Sequence, residues 1–160
     1  MKELPVRKPN RLKGYDYSQN GCYFITVSAK DRRELFWSQP VGACIARPPL
    51  SDMGEVVRTA IENIPHIYDS ITVDKYVIMP NHIHLILLIS DDLGRAMRAP
   101  TISTVINQLK GHVTKEIGRS IWQKTFHDHI IRDEYEYRLI YQYIDENPAR
   151  CSEDVYFPQI

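Results

Sequence analysis

The sequence predicts an α+β domain, in which a four-stranded antiparallel sheet packs helices on one face and one added helix follows at the C-terminal end. Three observations predict it. Apolar patterning switches between the strand period of two and the helix period of about 3.6, in the order strand, helix, strand, strand, helix, strand, helix. The second and third strands are parted only by the tight-turn pair Pro80-Asn81, so they form a hairpin and run antiparallel. Every apolar run is strand-sized, well short of the roughly 20 residues that cross a bilayer. This succession is that of the ferredoxin-like split βαβ arrangement.

Residues 1 to 20 hold two prolines, Pro5 and Pro9, and end in the polar run Tyr15 to Gly21, which reads as an irregular arm closing in a turn. Cys22 to Ser28, rich in aromatic and β-branched residues, is the first strand. Pro40, Pro48 and Pro49 exclude a long regular element between Asp31 and Leu50. Ser51 or Asp52 then caps a helix whose apolar positions are Val56, Val57, Ala60, Ile61 and Ile64, ending at Pro65. Ile71 to Met79 is the second strand, and the third starts after Asn81. Ile102, Val105, Ile106, Leu109, Val113 and Ile117 keep helical spacing, with Lys110, Lys115 and Arg119 towards the end that the helix dipole favours for cations. Phe126 to Ile131 is a short fourth strand. The last helix runs from Asp133 to about Asn147 and stops before Pro148.

A chain of 160 residues, 43% hydrophobic and 25% charged, is read as one domain over residues 1–160, with a basic arm at 1–20 and a polar tail at 149–160. The charged start lacks the apolar segment of a signal peptide, so a cytoplasmic protein with no membrane partner is expected. Cys22, Cys44 and Cys151 are odd in number and lack C-x-x-C spacing, which argues against both a disulfide framework and a thiolate zinc site. Twenty basic and twenty acidic residues cancel, so any nucleic-acid footprint must be local. Two such places exist. Lys2, Arg7, Lys8, Arg11 and Lys13 crowd the arm, while Lys30, Arg32 and Arg33 follow the first strand. Tyr15 and Tyr17 could stack on unpaired bases beside these cations, with Arg11 as a clamp. A solvated basic tail is the plain alternative.

In the third strand, alternation puts His82 and His84 on one face and Ile83 and Leu85 on the other. Burying two imidazoles there without partners would cost about 1 to 3 kcal/mol each, so a shared ligand is the economical explanation. The last helix supplies a complement. At about 100° per residue, Tyr137, Ile140, Tyr141 and Ile144 form one apolar stripe, which makes Tyr137 and Tyr141 candidate core residues. Tyr143 lies on the flank of that stripe, and Asn147 follows one turn later. Two imidazole nitrogens and one amide oxygen make an open site suited to Mg²⁺ or Mn²⁺, with positions left for phosphate oxygens. His127 and His129 form a rival pair on the fourth strand. If that strand borders the third, His129 or Asp128 could instead support a ligand from behind.

Three ordered motifs carry a family resemblance. They are Pro80-Asn81-His82-Ile83-His84, then Trp122 with Phe126-His127-Asp128-His129-Ile130-Ile131-Arg132, and Tyr143-Ile144-Asp145-Glu146-Asn147-Pro148. Together with Arg11 to Tyr17 and Tyr23 to Val27, they resemble the HUH single-tyrosine transposases of the IS200-like group, especially the REP-associated branch. The resemblance implies that His82 and His84 bind a divalent metal, that Asn147 takes the place of a third, amide ligand, and that Tyr143 on the added helix is the nucleophile. It further implies cleavage of single-stranded DNA beside hairpins, a 5′-phosphotyrosine intermediate and strand transfer, by a monomer or homodimer. A non-catalytic hairpin-DNA-binding or regulatory protein of the same fold is the alternative, and an HUH nuclease of replication or conjugation is a third.

Overall fold

The computed structural model describes residues 14–39, 48–90 and 99–148. The elements are β1 (Gly21–Ser28), α1 (Asp52–Glu62), the one-turn helix α2 (Ile64–Ile67), β2 (Ile71–Ile78), β3 (His82–Ile89), α3 (Ile102–Ile117), β4 (His127–Ile131) and α4 (Glu134–Glu146). The sheet order is β2-β3-β1-β4, every pairing is antiparallel, and the expected split βαβ topology is realised.

Local chemistry sets the helix ends. The side chains of Ser51, Thr101 and Asp133 accept hydrogen bonds from the backbone N–H groups of Gly54, Thr104 and Glu136, capping α1, α3 and α4. α3 stops at Gly118, whose φ of 80° few residues other than glycine adopt without strain. Pro65 does not end α1. That helix finishes at Glu62, and Pro65 lies in the first turn of α2, where its missing N–H leaves no bond unmade.

The sheet is covered on both faces. Tyr23, Ile25 and Val27 of β1 and Ile83, Leu85 and Leu87 of β3 pack against Val57, Ile61, Val105, Ile106 and Val113 from α1 and α3. The alternate residues Phe24 and Ile86, with Ile131 of β4, pack against Ile140 and Ile144 of α4. The added helix thus occupies the face that α1 and α3 leave open, and β3 is buried along almost its whole length.

α4 is held at both ends of its path across the sheet. His129 Nε2 on β4 lies 2.5 Å from the Glu136 carboxylate, while Lys75 Nζ on β2 donates to Asp145 at 2.9 Å. A bulge at Asp74 shifts the β2–β3 register and turns Lys75 and Val77 towards α4. The Tyr137 hydroxyl donates to Asp74 at 2.6 Å, and this bond, ahead of burial, pushes its pKa up to about 12.

Two sequence expectations are corrected here. Tyr141 is no core residue: it remains 38% exposed because α4 overlies β2, the edge of the sheet, and its ring meets the Lys75 ammonium 4.2 Å away. Lys110 is not a helix-terminal cation. It is buried in mid-helix and donates to the carbonyls of Gln123, Lys124 and Thr125, holding the approach to β4, and burial lowers its pKa.

Candidate active site

The hairpin turn before β3 is pinned from several sides. The Met79 N–H donates to the His82 carbonyl at 2.8 Å, Ala29 N–H to Asn81 at 2.8 Å, and Leu35 and Phe36 N–H groups to Pro80 at 2.8 and 3.0 Å. This fixes where β3 starts, and register then places His82 opposite Ser28 and His84 between Thr26 of β1 and Val77 of β2. Both histidines share one face, as the alternation predicts, and it is the face that α4 covers; they are 2% and 0% exposed.

Their ring nitrogens converge. His82 Nε2 and His84 Nε2 are 3.0 Å apart, and the Tyr143 hydroxyl lies 3.4 Å from His84 Nε2. The Nδ1 atoms point to neighbours, His82 to Asn81 Oδ1 at 2.6 Å and His84 to Thr26 Oγ1 at 2.8 Å. Phe24 stacks on the His84 ring at 5.2 Å and meets the Tyr143 ring edge-on at 6.2 Å, so one aromatic wall orients both. Tyr143 reaches this point because Ile140 and Ile144 anchor the inner face of α4, leaving the next position on the flank that overhangs β3. Asn147, where α4 ends, is 3% exposed, and its buried amide nitrogen has no partner among the described residues.

This donor set fits a hard divalent cation. Neighbouring ligands of an octahedral ion with bonds of about 2.0–2.1 Å lie about 3 Å apart, which matches the 3.0 Å between the two Nε2 atoms. Turning the Asn147 amide by half a revolution exchanges its nitrogen and oxygen, which gives an acceptor in place of the unpaired N–H. Among the described residues, no group of three or more His, Cys, Asp or Glu side chains could hold a metal ion.

The other candidates fall elsewhere. β4 borders β1 and not β3, so neither His129 nor Asp128 stands behind a histidine of the pair. His129 is engaged with Glu136, and Asp128 is paired with Ile25, which turns it to the α1/α3 face. His127, opposite Thr26, is exposed. Tyr15 and Tyr17 pack on the Tyr23 side of the sheet, ring centroids 5.0 Å apart, and the Tyr15 and Tyr23 hydroxyls meet at 3.4 Å. They pack against the core on the face away from the histidines and are only partly buried. Arg32 and Arg33 are exposed in the turn after β1, and the Asn81 side-chain N–H donates to the Arg32 carbonyl at 3.4 Å, which sets this basic turn beside His82. Arg11, Lys13, Cys44 and Cys151 lie outside the described residues. Burial, aided by Asp74 and Glu136, pushes the Cys22 thiol up to about 11, in keeping with a bystander.

A cavity of about 500 Å³ opens on the far side of Ile144, lined by Trp37, Arg58, Lys75, Tyr76 and Asp145. Its cations are already matched by carboxylates, Lys75 by Asp145 and Arg58 by Glu55. The candidate site is therefore the histidine face. Sequence reasoning missed Thr26, Asn81 and Phe24. Asn81 was visible as a turn residue and as part of the His-bearing motif but with no role of its own, and Thr26 and Phe24 acquire theirs through cross-strand register.

No family model matches the chain. An uncharacterized Haemophilus influenzae protein is 34% identical, over 92% of this chain and 91% of its own. The REP-associated tyrosine transposase of Escherichia coli K12 is 25% identical, over 84% of this chain and 70% of its own. Among solved structures, a REP-associated tyrosine transposase bound to a REP hairpin has a TM-score of 0.65 at 23% identity, covering 88% of this chain and 74% of that one. The fold is that of a tyrosine transposase. In sequence and fold the chain is similar to REP-associated tyrosine transposases.

Proposed function

We propose that this protein is a metal-dependent single-strand DNA endonuclease and strand transferase that cuts beside hairpins through a covalent tyrosine intermediate. One observation carries the reading: the Tyr143 hydroxyl lies 3.4 Å from the Nε2 of a histidine that is itself 3.0 Å from a second. Tyr143 and the histidine pair already meet within a single chain, which supports action within one protomer. The family relation supports the reading, and the relative solved with a REP hairpin supports hairpin DNA as the partner.

His82, His84 and the Asn147 amide would hold Mg²⁺ or Mn²⁺, which when bound polarises the phosphoryl group and offsets its developing charge. A phenol with a pKa near 10 is a weak nucleophile, so positioning matters. The Phe24 wall and the α4 anchor hold the Tyr143 oxygen beside the paired imidazoles. Attack by that oxygen forms a tyrosine–phosphorus bond and breaks the bond to the 3′ oxygen. The phenol gives up its proton and the departing 3′ oxygen gains one. The phosphodiester energy is retained in the 5′-phosphotyrosine, so a free 3′-hydroxyl can reverse the attack and join strands. Arg32 and Arg33, with Arg11 and Lys13 of the arm, supply phosphate contacts that need no particular sequence. The expected setting is cytoplasmic, and among the described residues no helix is long and apolar enough to cross a membrane.

The test mixes purified protein with Mg²⁺ or Mn²⁺ and single-stranded hairpin DNA from the regions flanking its own coding sequence, then looks for an adduct on a denaturing gel. Wild type should form one and Tyr143→Phe none, with His82→Ala and His84→Ala losing at least 100-fold in rate, about 2.7 kcal/mol of barrier. Hairpin binding without an adduct would identify a DNA-binding module. An adduct surviving Tyr143→Phe would sink the choice of nucleophile.

A further inference from the structure

The geometry points to Asn81 and Thr26 as positioning residues that set the tautomers of the histidine pair, Asn81 holding His82 in one form and Thr26 letting His84 change form when a cation arrives. The inference rests on the metal-dependent reading above and deepens it. The Asn81 amide nitrogen donates to the Arg32 carbonyl, which aims its oxygen at His82 Nδ1, 2.6 Å away. An amide oxygen only accepts hydrogen bonds, so His82 carries its proton on Nδ1 and presents a bare lone pair at Nε2.

Thr26 differs, because a hydroxyl can donate or accept by rotating. The two Nε2 atoms, 3.0 Å apart, would repel if both were bare with nothing between them. Without a cation, His84 therefore holds its proton on Nε2 and donates it to His82. Its Nδ1 is then bare and accepts from the Thr26 hydroxyl at 2.8 Å. With a cation, the Thr26 hydroxyl turns to accept, the His84 proton moves through solvent exchange from Nε2 to Nδ1, and both lone pairs face one point. The ring keeps one proton throughout. Threonine is suited to this position, since valine has its shape without a hydrogen bond and a fixed acceptor such as an amide oxygen would hold only one of the two states.

The readout is the histidine ring nitrogen spectrum of the ¹⁵N-labelled full chain, with and without Mg²⁺, alongside Mn²⁺ affinity from the resonance of the free ion. Wild type should show His82 as Nδ1–H in both states and His84 changing from Nε2–H to Nδ1–H on addition of Mg²⁺. Thr26→Val should keep its thermal midpoint but bind Mn²⁺ 10- to 100-fold more weakly, and Thr26→Ser should recover most of that loss. Asn81→Ala should give a mixed His82 population and a similar loss, restored by Asn81→Asp. His84 unchanged in form while Mg²⁺ binds, or wild-type Mn²⁺ affinity in Thr26→Val, would overturn the proposal. Failure of wild type to bind either ion would refute the metal-dependent reading instead. The cation-free spectrum then still decides the assignment, since His82 as Nε2–H contradicts it.

Discussion

Two residues show how single positions are constrained in opposite ways. Gly54 sits in the first turns of α1 where an added Cβ would come within 2.2 Å of the Phe36 carbonyl oxygen, an atom already accepting from the Ser51 N–H at 2.9 Å. Alanine usually improves a helix, yet Gly54→Ala should cost about 1 to 3 kcal/mol, because backbone cannot move aside as a flexible side chain can. A lowered urea midpoint with an unchanged slope would show it. Asn147 is the reverse case. Its buried amide nitrogen has no partner among the described residues and carries a desolvation cost that they do not offset. Asn147→Leu should leave stability unchanged or raise it by about 1 kcal/mol while reducing adduct formation at least tenfold, the pattern of a residue kept for chemistry. A large loss of stability would assign it to the fold instead.

At the scale of elements, α4 decides whether the site exists, since it brings Tyr143 to histidines on a different strand. Part of its attachment depends on pH. Burial alone would raise the Glu136 carboxyl, but the Arg132 N–H at 2.8 Å and His129 at 2.5 Å outweigh it, so its pKa lies below the usual 4.5. A carboxylate lowered on folding adds stability above its unfolded value and loses it as pH falls through the folded one. Thermal stability should therefore drop as the solution is acidified below about 4.5, with a shallower drop in Glu136→Gln. Equal slopes in both proteins would show that Glu136 has no part in it. The turn after β1 is the other informative element. Asp31 and Arg32 adopt φ of 57° and 52°, a left-handed conformation that costs non-glycine residues about 1 kcal/mol or more each. Backbone bonds from Lys30 to Ile121 and from Arg33 to Lys30 hold it, and the strained turn displays its cations beside His82.

Across the whole molecule, the charge balance of twenty against twenty means that long-range attraction for DNA is weak and binding depends on local cations. Arg32→Gln with Arg33→Gln should weaken hairpin binding for all sequences and reduce the salt dependence by about 0.7 to 0.9 in log–log slope for each phosphate no longer neutralised. An unchanged slope in a filter-binding titration would place the DNA elsewhere. With both faces of the sheet covered, the histidine pair is buried between sheet and helix, which keeps its partners fixed.

The sequence by itself determined the order of elements, the common face of His82 and His84 and the flank position of Tyr143. All three follow from backbone periods acting over a few residues, and the Ser51 cap was equally legible. Only the tertiary structure decided which face α4 covers, that β4 lies beside β1, and therefore that His129 clamps Glu136 while Asp128 turns away. It also decided that Thr26 touches His84, that Tyr141 overhangs an edge, and that Lys110 reaches three carbonyls of a distant loop. The physical reason is range. Periodicity is enforced by each residue's own geometry, whereas strand neighbours and helix faces are chosen by apolar surfaces and pairings far apart in the chain, which no local pattern records.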